Sequence, residues 1–354
     1  MLDLLCLQTR CMTSVISMVV AYSSLCLADE HRDWQQYPAI AQVAMPGKLY
    51  ALGDVHGDYE RLVEVLVAGQ ILLNVPDKPE HAKWTGAKSV LVVTGDFIDK
   101  YNHSLEVISL FRTIQKQAVS EGGRVIVTLG NHEAEFLAAG TAGKKSAMFR
   151  KELEAVGLNV AEVVAGRDPN GIGQWLHSLP IAAKVGDWFF CHAGNAGGKS
   201  LATLERELEA DITSHGYSAP ILANPNSILQ ARMHPRQWWD AAGDVQLKEL
   251  VSPPVAANEK SNDSEKKLRA IVEALGCKHL VIGHQPGKIT FADGVVRDAG
   301  QIFTKFGGLF FMTDTGMSRG ANSGQGGLLK IQEEVNHIAA TAIYSDGKSV
   351  SIFP

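Results

Sequence analysis

The sequence predicts an α/β fold with two β-sheets covered by helices, and two features support this prediction. Five apolar runs rich in β-branched residues each end in a polar or glycine-containing turn, and the first three are each followed by a helix-like stretch. Such a succession is typical of layers whose strands are buried on both faces. Later apolar runs with a hairpin-type turn, SDGK, predict a second, partly antiparallel sheet.

Composition and charge exclude several classes of protein. The chain has 354 residues, of which 45% are hydrophobic and 20% charged, and its formal net charge is −5. This composition is typical of a globular protein with an ordinary core, in one large domain or two smaller ones. The charge predicts no basic surface for nucleic acid or for an anionic membrane. We therefore expect no nucleic-acid partner.

The N-terminal segment differs from the rest of the chain. Arg10 precedes an uncharged, mostly apolar stretch, CMTSVISMVVAYSSLCLA, which ends at Ala28. This pattern is typical of a secretory signal peptide, and the stretch is short and rather polar for a membrane span. We expect cleavage of residues 1–28, with an uncleaved anchor as the alternative, and a start at Met1 or Met12. The mature protein would be periplasmic or secreted, without stable membrane insertion.

Two further parts are predicted after this segment. Residues 29–45 are expected to form a connector, and residues 46–354 one large domain with helical insertions. The mature chain keeps Cys191 and Cys277, each in or beside an apolar run. Two buried thiols are favoured over one disulfide between them.

The turns that end the five strand-like runs all carry residue types that bind divalent metal ions. One GD or GN turn is ordinary turn chemistry, but five at successive strand ends favour a common site, because ligands gather at the carboxyl ends of strands. The candidate ligands are Asp54, His56, Asp96, Asn131, His192 and His284. Carboxylates, an amide and imidazoles without cysteine suit two divalent ions of the Mn, Fe or Zn kind, with Mn preferred. Asp96 is the candidate bridging ligand.

Hydrolysis of a phosphoester is the reaction that such a site favours. Two ions about 3.5–4 Å apart can lower the pKa of a bridging water towards about 7 and hold a phosphate oxygen. Hydroxide would attack phosphorus directly, and the leaving oxygen needs a proton. His132 follows Asn131 and is the candidate general acid, and Asp99 is the carboxylate expected to orient it. Asp58 is expected to cap the following helix or to support the ligands from behind.

The motifs GDVHGD, GDFID and GNHE, followed by CHAG and GHQPG, resemble those of the calcineurin-like metallophosphoesterases, in the phosphoprotein phosphatase branch. GQWLHSLPIAAKVGDWFFCHAGNAGG and DTGMSRG are similar to the Shewanella-like protein phosphatases. The resemblance, from about residue 46 to the C-terminus, implies a two-sheet β-sandwich flanked by helices, with helical cap insertions. It also implies the dinuclear site and acid described above, no covalent phosphoenzyme, and a phosphoprotein or phosphopeptide substrate, with phosphotyrosine one candidate.

Phosphate binding is where the sequence departs from this family. The family's second motif continues into Arg, whereas here Asp99 is followed by Lys100, a point charge in place of a bidentate fork. Arg232 matches the place in order at which the family keeps another such residue, and Arg150 and Arg319 are further candidates. The predicted phosphate-binding residues are Asn131, Lys100, Arg232 and Arg150.

Three other functions stay open on the sequence. A dinucleoside polyphosphate or nucleotide hydrolase would share these motifs, but it would need aromatic stacking for a base, of which the sequence shows no clear sign. A non-catalytic, metal-stabilised binding module would have no use for the acid formed by Asp99 and His132, and only Lys100 favours it. Export would also suit a phosphatase of broad specificity, acting on small phosphomonoesters.

Overall fold

The computed structural model describes most of the chain after the predicted signal peptide. It describes residues 32–140, 142–233, 237–240, 257–322, 324–333 and 338–354, without the side chains of 257–262. The predicted signal peptide, residues 1–28, lies outside these ranges. Within them, no helix is long and apolar enough to cross a membrane.

The described strands and helices confirm the predicted alternation. The strands are β1 (Ile40–Val43), β2 (Lys48–Leu52), β3 (Val90–Val93), β4 (Arg124–Val127), β5 (Ala182–Val185), β6 (Trp188–Cys191), β7 (His279–Ile282), β8 (Ile289–Thr290), β9 (Val296–Arg297), β10 (Phe303–Lys305), β11 (Phe310–Met312), β12 (Gly327–Glu333), β13 (Ile338–Tyr344) and β14 (Ser349–Phe353). The helices are α1 (Tyr59–Ala68), α2 (Ser104–Ser120), α3 (Asn131–Ala139), α4 (Ala147–Ala155), α5 (Val160–Val164), α6 (Ile172–Ser178), α7 (Leu201–His215), α8 (Pro220–Ala223) and α9 (Ala257–Ala274). The five predicted strand-like runs are β2, β3, β4, β6 and β7. Helices α4 to α9 occupy the regions predicted as helical insertions.

Two mixed six-stranded sheets form the centre of the protein. Their strand orders are β1-β5-β6-β7-β11-β10 and β14-β13-β12-β2-β3-β4. Strands β2, β3 and β4 are parallel, and β12 pairs antiparallel with β2, placing Leu328 opposite Leu52. The α/β class and the two sheets are as predicted. The antiparallel C-terminal strands, however, extend the sheet of the first three strands, because periodicity predicts a strand but not its partner.

A layer of apolar side chains holds the two sheets together. Val92 and Leu329 from one sheet pack against Phe190 and Val281 from the other, and all are fully buried. Trp188 lies in the same layer and stacks on the His279 ring, with 4.0 Å between ring centroids. This packing fixes the carboxyl ends of strands from both sheets relative to one another.

Strand β1 lies inside the segment that we expected to be a connector. It pairs in parallel with β5, with Ile40 opposite Ala182. Before it, the Arg32 guanidinium donates a hydrogen bond of 2.8 Å to the carbonyl oxygen of Leu179. The folded part of the chain therefore begins ahead of residue 46. Cys191 and Cys277 are both buried free thiols.

Candidate metal centre

The carboxyl ends of five strands bring the six predicted ligands together. Asp54 and His56 follow β2, Asp96 follows β3, and Asn131 begins α3 directly after the β4 turn. The remaining two, after β6 and β7, come from the other sheet. All six side chains are buried, with exposures of 6% or less: Asp54, His56, Asp96, Asn131, His192 and His284.

Asp96 lies at the centre of this cluster. Its Oδ2 is 3.3 Å from Nε2 of His192 and 3.7 Å from Nε2 of His56. Two buried groups could each hold a metal ion, one formed by His56, Asp96 and His132 and the other by Asp96, His192 and His284. Asp96 belongs to both groups, as a bridging ligand would.

Backbone carbonyl groups set the tautomers of two imidazoles. Nδ1 of His192 lies 2.8 Å from the carbonyl oxygen of Thr94, and Nδ1 of His56 lies 3.2 Å from that of Ile98. Because each Nδ1 carries the proton that it donates, each Nε2 presents a lone pair to the cluster. Burial also lowers the pKa of His56 to about 3, so this imidazole is neutral at physiological pH.

The orientation of the Asn131 amide bears on whether the cluster fits a cation. Its Oδ1 lies 2.9 Å from Nε2 of His192 and 3.0 Å from Oδ2 of Asp96, and it faces acceptors only. Nδ1 of His284 lies 3.2 Å from the same Asn131 atom and 2.8 Å from Nε2 of His192, and burial holds the pKa of His284 well below its ordinary value. Lone pairs that converge in this way are satisfied by a divalent cation. The residues therefore fit a metal site.

A second buried carboxyl group, Asp314, lies behind Asp54. Oδ1 of Asp54 accepts a hydrogen bond of 2.9 Å from the N–H of His284. Burial, together with the nearby Asp314 and Asp96 carboxylates, raises the pKa of Asp54 well above its ordinary value. Arg297 is fully buried and donates to the carbonyl oxygen of Asp314, so it supplies positive charge close to this pair. Nothing in the sequence pointed to Arg297.

The backbone around the ligands is unusually close-packed and bent. A Cβ atom at Gly130 would lie 2.2 Å from Oδ1 of Asp96, which only glycine avoids. His56, Asp96 and His284 have positive φ values of 46°, 50° and 66°. Backbone strain of this kind is typical of functional sites. This close packing is the steric reason why glycine directly precedes a ligand in motifs such as GN.

Glu133 holds the site together, although sequence reasoning missed it. This residue is fully buried. Its carboxylate accepts N–H groups from Asp96 (2.9 Å), Phe97 (2.8 Å), Ile98 (3.0 Å) and Gly130 (2.7 Å). It therefore ties the turn after β3 to the start of α3. Its place as the last residue of GNHE was the one available signal.

His132 and Asp99 lie together beside the cluster. Nδ1 of His132 is 3.4 Å from Oδ2 of Asp99, and its Nε2 is 3.8 Å from Oδ2 of Asp96. Burial alone would lower the pKa of His132, but the carboxylates of Asp96 and Asp99 raise it above its ordinary value. The other Asp99 oxygen accepts a hydrogen bond of 2.7 Å from the N–H of Met148, at the start of α4.

A short chain of hydrogen bonds supports Asp99. Its N–H donates to Oγ of Ser104 (3.1 Å), and that hydroxyl donates to Oε1 of Glu152 (2.7 Å). Oε2 of Glu152 accepts the N–H of Leu105 at 3.1 Å, which caps the start of α2. Glu152 therefore joins α4 to the loop that carries Asp99.

Two of the predicted phosphate-binding cations lie beside the cluster. Arg232 is exposed, and its Nη1 lies 3.5 Å from the carbonyl oxygen of His284. Lys100 is exposed too, and its charge contributes to the pKa values of His56 and His132. Both cations are therefore accessible to an anion from solvent.

The other two candidates have different partners. The Arg150 guanidinium donates to Oγ of Ser146 (3.0 Å) and to the carbonyl oxygen of Gly143, both on the turn before α4. Arg319 forms a bidentate ion pair with Asp58, with distances of 2.9 and 2.6 Å. Asp58 also accepts the N–H of Arg61 and caps α1, in line with the first of its two expected roles.

A cavity of about 840 Å³ shares residues with this region. Lys145, Gln230 and Arg232 supply polar atoms to its wall, and Leu222 and Trp238 supply apolar surface. Lys145 also contacts the Asn131 amide, with 2.5 Å between Nζ and the amide atom that faces away from the ligands. Lys145 therefore contacts both this cavity and one of the candidate metal ligands.

Comparison with known proteins agrees with this geometry. Residues 47–288 match the family described as calcineurin-like phosphoesterase. Shewanella-like protein phosphatase 1 of Plasmodium berghei is 26% identical over 310 residues, which cover 86% of this chain and 76% of that protein. A symmetrical bis(5'-nucleosyl)-tetraphosphatase of Vibrio vulnificus is 25% identical, over 48% of this chain and 53% of that one.

A similar solved structure supports the fold. The cold-active protein-tyrosine phosphatase of a psychrophilic Shewanella species aligns with a TM-score of 0.60 and 19% identity. The alignment covers 90% of this chain and 83% of that one. At this identity the match shows the fold alone, and it confirms the predicted two-sheet architecture with flanking helices.

Glu152 predicts a pH dependence of stability. Burial raises its pKa from 4.5 to about 7, so the folded protein retains a proton that the unfolded chain releases above pH 4.5. Stability from this group is therefore present at low pH and is lost as the pH rises from 4.5 to about 7. We expect the melting temperature of wild type relative to Glu152→Gln to fall between pH 5 and pH 8. The exposed Glu154→Gln is the control, and a constant difference would contradict the prediction.

Proposed function

Because the chain belongs to the calcineurin-like phosphoesterase family, we propose that it hydrolyses phosphomonoesters with two divalent ions held by the cluster around Asp96. The observation that carries this proposal is the buried Asp96 carboxylate shared by two groups of potential ligands. We propose Mn²⁺ as the native ion, with Fe or Zn as alternatives, because oxygen and imidazole donors without thiolate suit these metals.

The metal ligands are proposed to be the six residues that the strand ends bring together. Divalent ions bound there would activate water as a nucleophile and neutralise charge on the phosphate. One metal position would draw on Asp54 and His56, the other on Asn131, His192 and His284, with Asp96 common to both. The neutral imidazoles and converging lone pairs support this assignment.

His132 is the proposed general acid. Its Nδ1 faces Asp99, so its Nε2, on the cluster side, would donate the proton to the leaving oxygen. Asp99 stays ionised because His132 and the N–H of Met148 lower its pKa against the effect of burial. An ionised Asp99 in turn orients the imidazole and favours its protonated form.

Phosphate binding is assigned to Arg232, Lys100 and the amide of Asn131. The two cations are exposed and close to the ligands, so a dianionic phosphate would be attracted to them. Lys100 gives a less directional contact than arginine would, since an ammonium cannot form a bidentate pair.

The substrate is proposed to be a phosphoprotein or phosphopeptide, with phosphotyrosine included. The names of the relative from P. berghei and of the Shewanella structure support this choice. The cavity of about 840 Å³ beside Arg232 has room for a side chain that carries the phosphate. A dinucleoside polyphosphate is the alternative, supported by the partial match to the V. vulnificus enzyme.

Export is a further part of the proposal. The apolar stretch that ends near Ala28 supports a signal peptide. The full chain, produced with its N-terminus in a bacterial host, should appear in the periplasm or medium with a mature N-terminus close after residue 28. N-terminal sequencing of the fractionated protein measures this. An intact N-terminus on membrane-bound protein would favour the anchor, and one on cytosolic protein would exclude export.

The main test of the proposed function is metal removal and restoration. Protein stripped with a chelator should lose activity, and Mn²⁺, Fe²⁺ or Zn²⁺ should restore it, with Mn²⁺ best. Turnover should be measured on a phosphotyrosine peptide, a phosphoserine peptide and diadenosine tetraphosphate. Asp96→Asn, which weakens the shared ligand, should lower the metal content and leave little activity. Hydrolysis of diadenosine tetraphosphate alone would favour the alternative, and metal binding without any turnover would exclude an enzyme.

His132→Ala separates a general acid from a metal ligand. Turnover of an alkyl phosphate should fall about 10²- to 10⁴-fold, the usual contribution of a proton donor. Turnover of p-nitrophenyl phosphate should fall much less, because its leaving group needs no proton. Metal content, measured by mass spectrometry, should stay that of wild type and of the control His81→Ala, which alters an exposed histidine. Loss of metal would make His132 a ligand instead.

A further inference from the structure

Lys145 lies beside the metal ligands and has no role in the mechanism proposed above. It belongs to the turn between α3 and α4, and its side chain is half-buried. Its Nζ donates a hydrogen bond of 3.0 Å to Oε1 of Gln230 and lies 2.5 Å from the Asn131 amide. In the part of the chain that the structure describes, no carboxylate lies within ion-pair distance of this ammonium.

The turn that carries Lys145 is held firmly in place. The backbone N–H of Lys145 donates to Oε1 of Glu135 at 2.6 Å. Arg150 donates to Ser146 and to Gly143, on either side of the lysine. Arg150 therefore supports the turn that carries Lys145. A side chain on such a turn is preorganised, so it loses little entropy on contact with a ligand.

The orientation of the Asn131 amide decides whether Lys145 has a hydrogen-bond acceptor there. With its oxygen towards the metal ligands, the amide presents its nitrogen to Nζ of Lys145. Both groups are donors, and neither satisfies the other. The reverse orientation would give Lys145 an acceptor but would point the NH₂ group at Asp96 and His192, where a cation belongs. Metal binding therefore leaves two adjacent donors that an anionic oxygen can satisfy together.

The surroundings of Lys145 favour an anion. Lys145 and Arg232 line the same cavity. Glu135 lines this cavity too, but its Oε1 accepts the backbone N–H of Lys145. Burial lowers the pKa of Lys145, the carboxylates of Asp96 and Glu135 oppose this effect, and the charges of Arg232 and Lys100 add to it. A phosphate group that approaches the metal ligands would enter between these three cations.

We propose that Lys145 binds a non-bridging oxygen of the substrate phosphate together with the amide N–H of Asn131. This rests on the proposed function, and it identifies a contact that supplements Lys100 where the family has arginine. Lys100, on the turn after β3, and Lys145, on the turn before α4, would then together make the phosphate contact that a single arginine side chain makes in the family.

Phosphate binding to the metal-loaded protein tests this directly. Isothermal titration calorimetry with inorganic phosphate should be performed on the Mn²⁺-loaded wild type, Lys145→Met, Lys145→Arg and Lys144→Met. Lys145→Met should weaken phosphate binding about tenfold, as expected for the loss of one charge-assisted hydrogen bond. Lys145→Arg should stay within about threefold of wild type, since it keeps the charge and the donors. Lys144→Met, an exposed neighbour on the same turn, should behave as wild type.

Metal content and kinetics complete the test. All four proteins should hold the same amount of Mn²⁺, and Lys145→Met should raise KM for a phosphopeptide more than it lowers kcat. Wild-type phosphate affinity in Lys145→Met, equal weakening in Lys144→Met, or metal loss in Lys145→Met would each overturn the assignment. Wild type that binds phosphate but hydrolyses no phosphomonoester would refute the proposed function and still support Lys145 if the variant series behaves as stated. No phosphate binding by metal-loaded wild type would refute both.

Discussion

The four hydrogen bonds accepted by Glu133 are the contact on which the rest of the site depends. Asp96 lies in the turn after β3, and Asn131 is the first residue of α3, directly after the turn that follows the neighbouring strand β4. The Glu133 carboxylate accepts N–H groups from both turns, so one side chain fixes their relative position. Because these donors are buried, they would each need another acceptor without it. The shared ligand is therefore placed by a residue that touches no substrate.

Much of the fold and of the metal site could be predicted from the sequence, because both depend on local patterns. Apolar runs predict strands, and metal-binding side chains directly after them predict a site at their carboxyl ends. The rest depends on contacts between distant segments. Arg297 acts through carbonyl groups that no motif marks, and the partner of β2 comes from near the C-terminus. Arg150 could be recognised as a positive charge, but its partners on the neighbouring turn could not.

Electrostatics in the cluster depends on burial acting against neighbouring charge. Burial keeps the imidazoles of His56 and His284 neutral, which leaves their lone pairs free. The pKa of Asp54 is raised, while that of Asp96 is lowered by His192 and His132 in spite of its burial. Two carboxyl groups in one cluster thus differ because one has acidic neighbours and the other has imidazoles. A bound cation would favour the ionised form of both.

The order of strands also determines when the site can form. Strand β2, which leads into Asp54 and His56, has β3 on one side and β12 on the other. Its Leu52 pairs with Leu328, which comes from near the other end of the sequence. Pairings over such long sequence separations form slowly, and during synthesis this edge of β2 has no partner until the last strands emerge. The first ligands therefore exist as an incomplete set for most of translation. The sheet around β2 would then be completed only after all six candidate ligands have been synthesised.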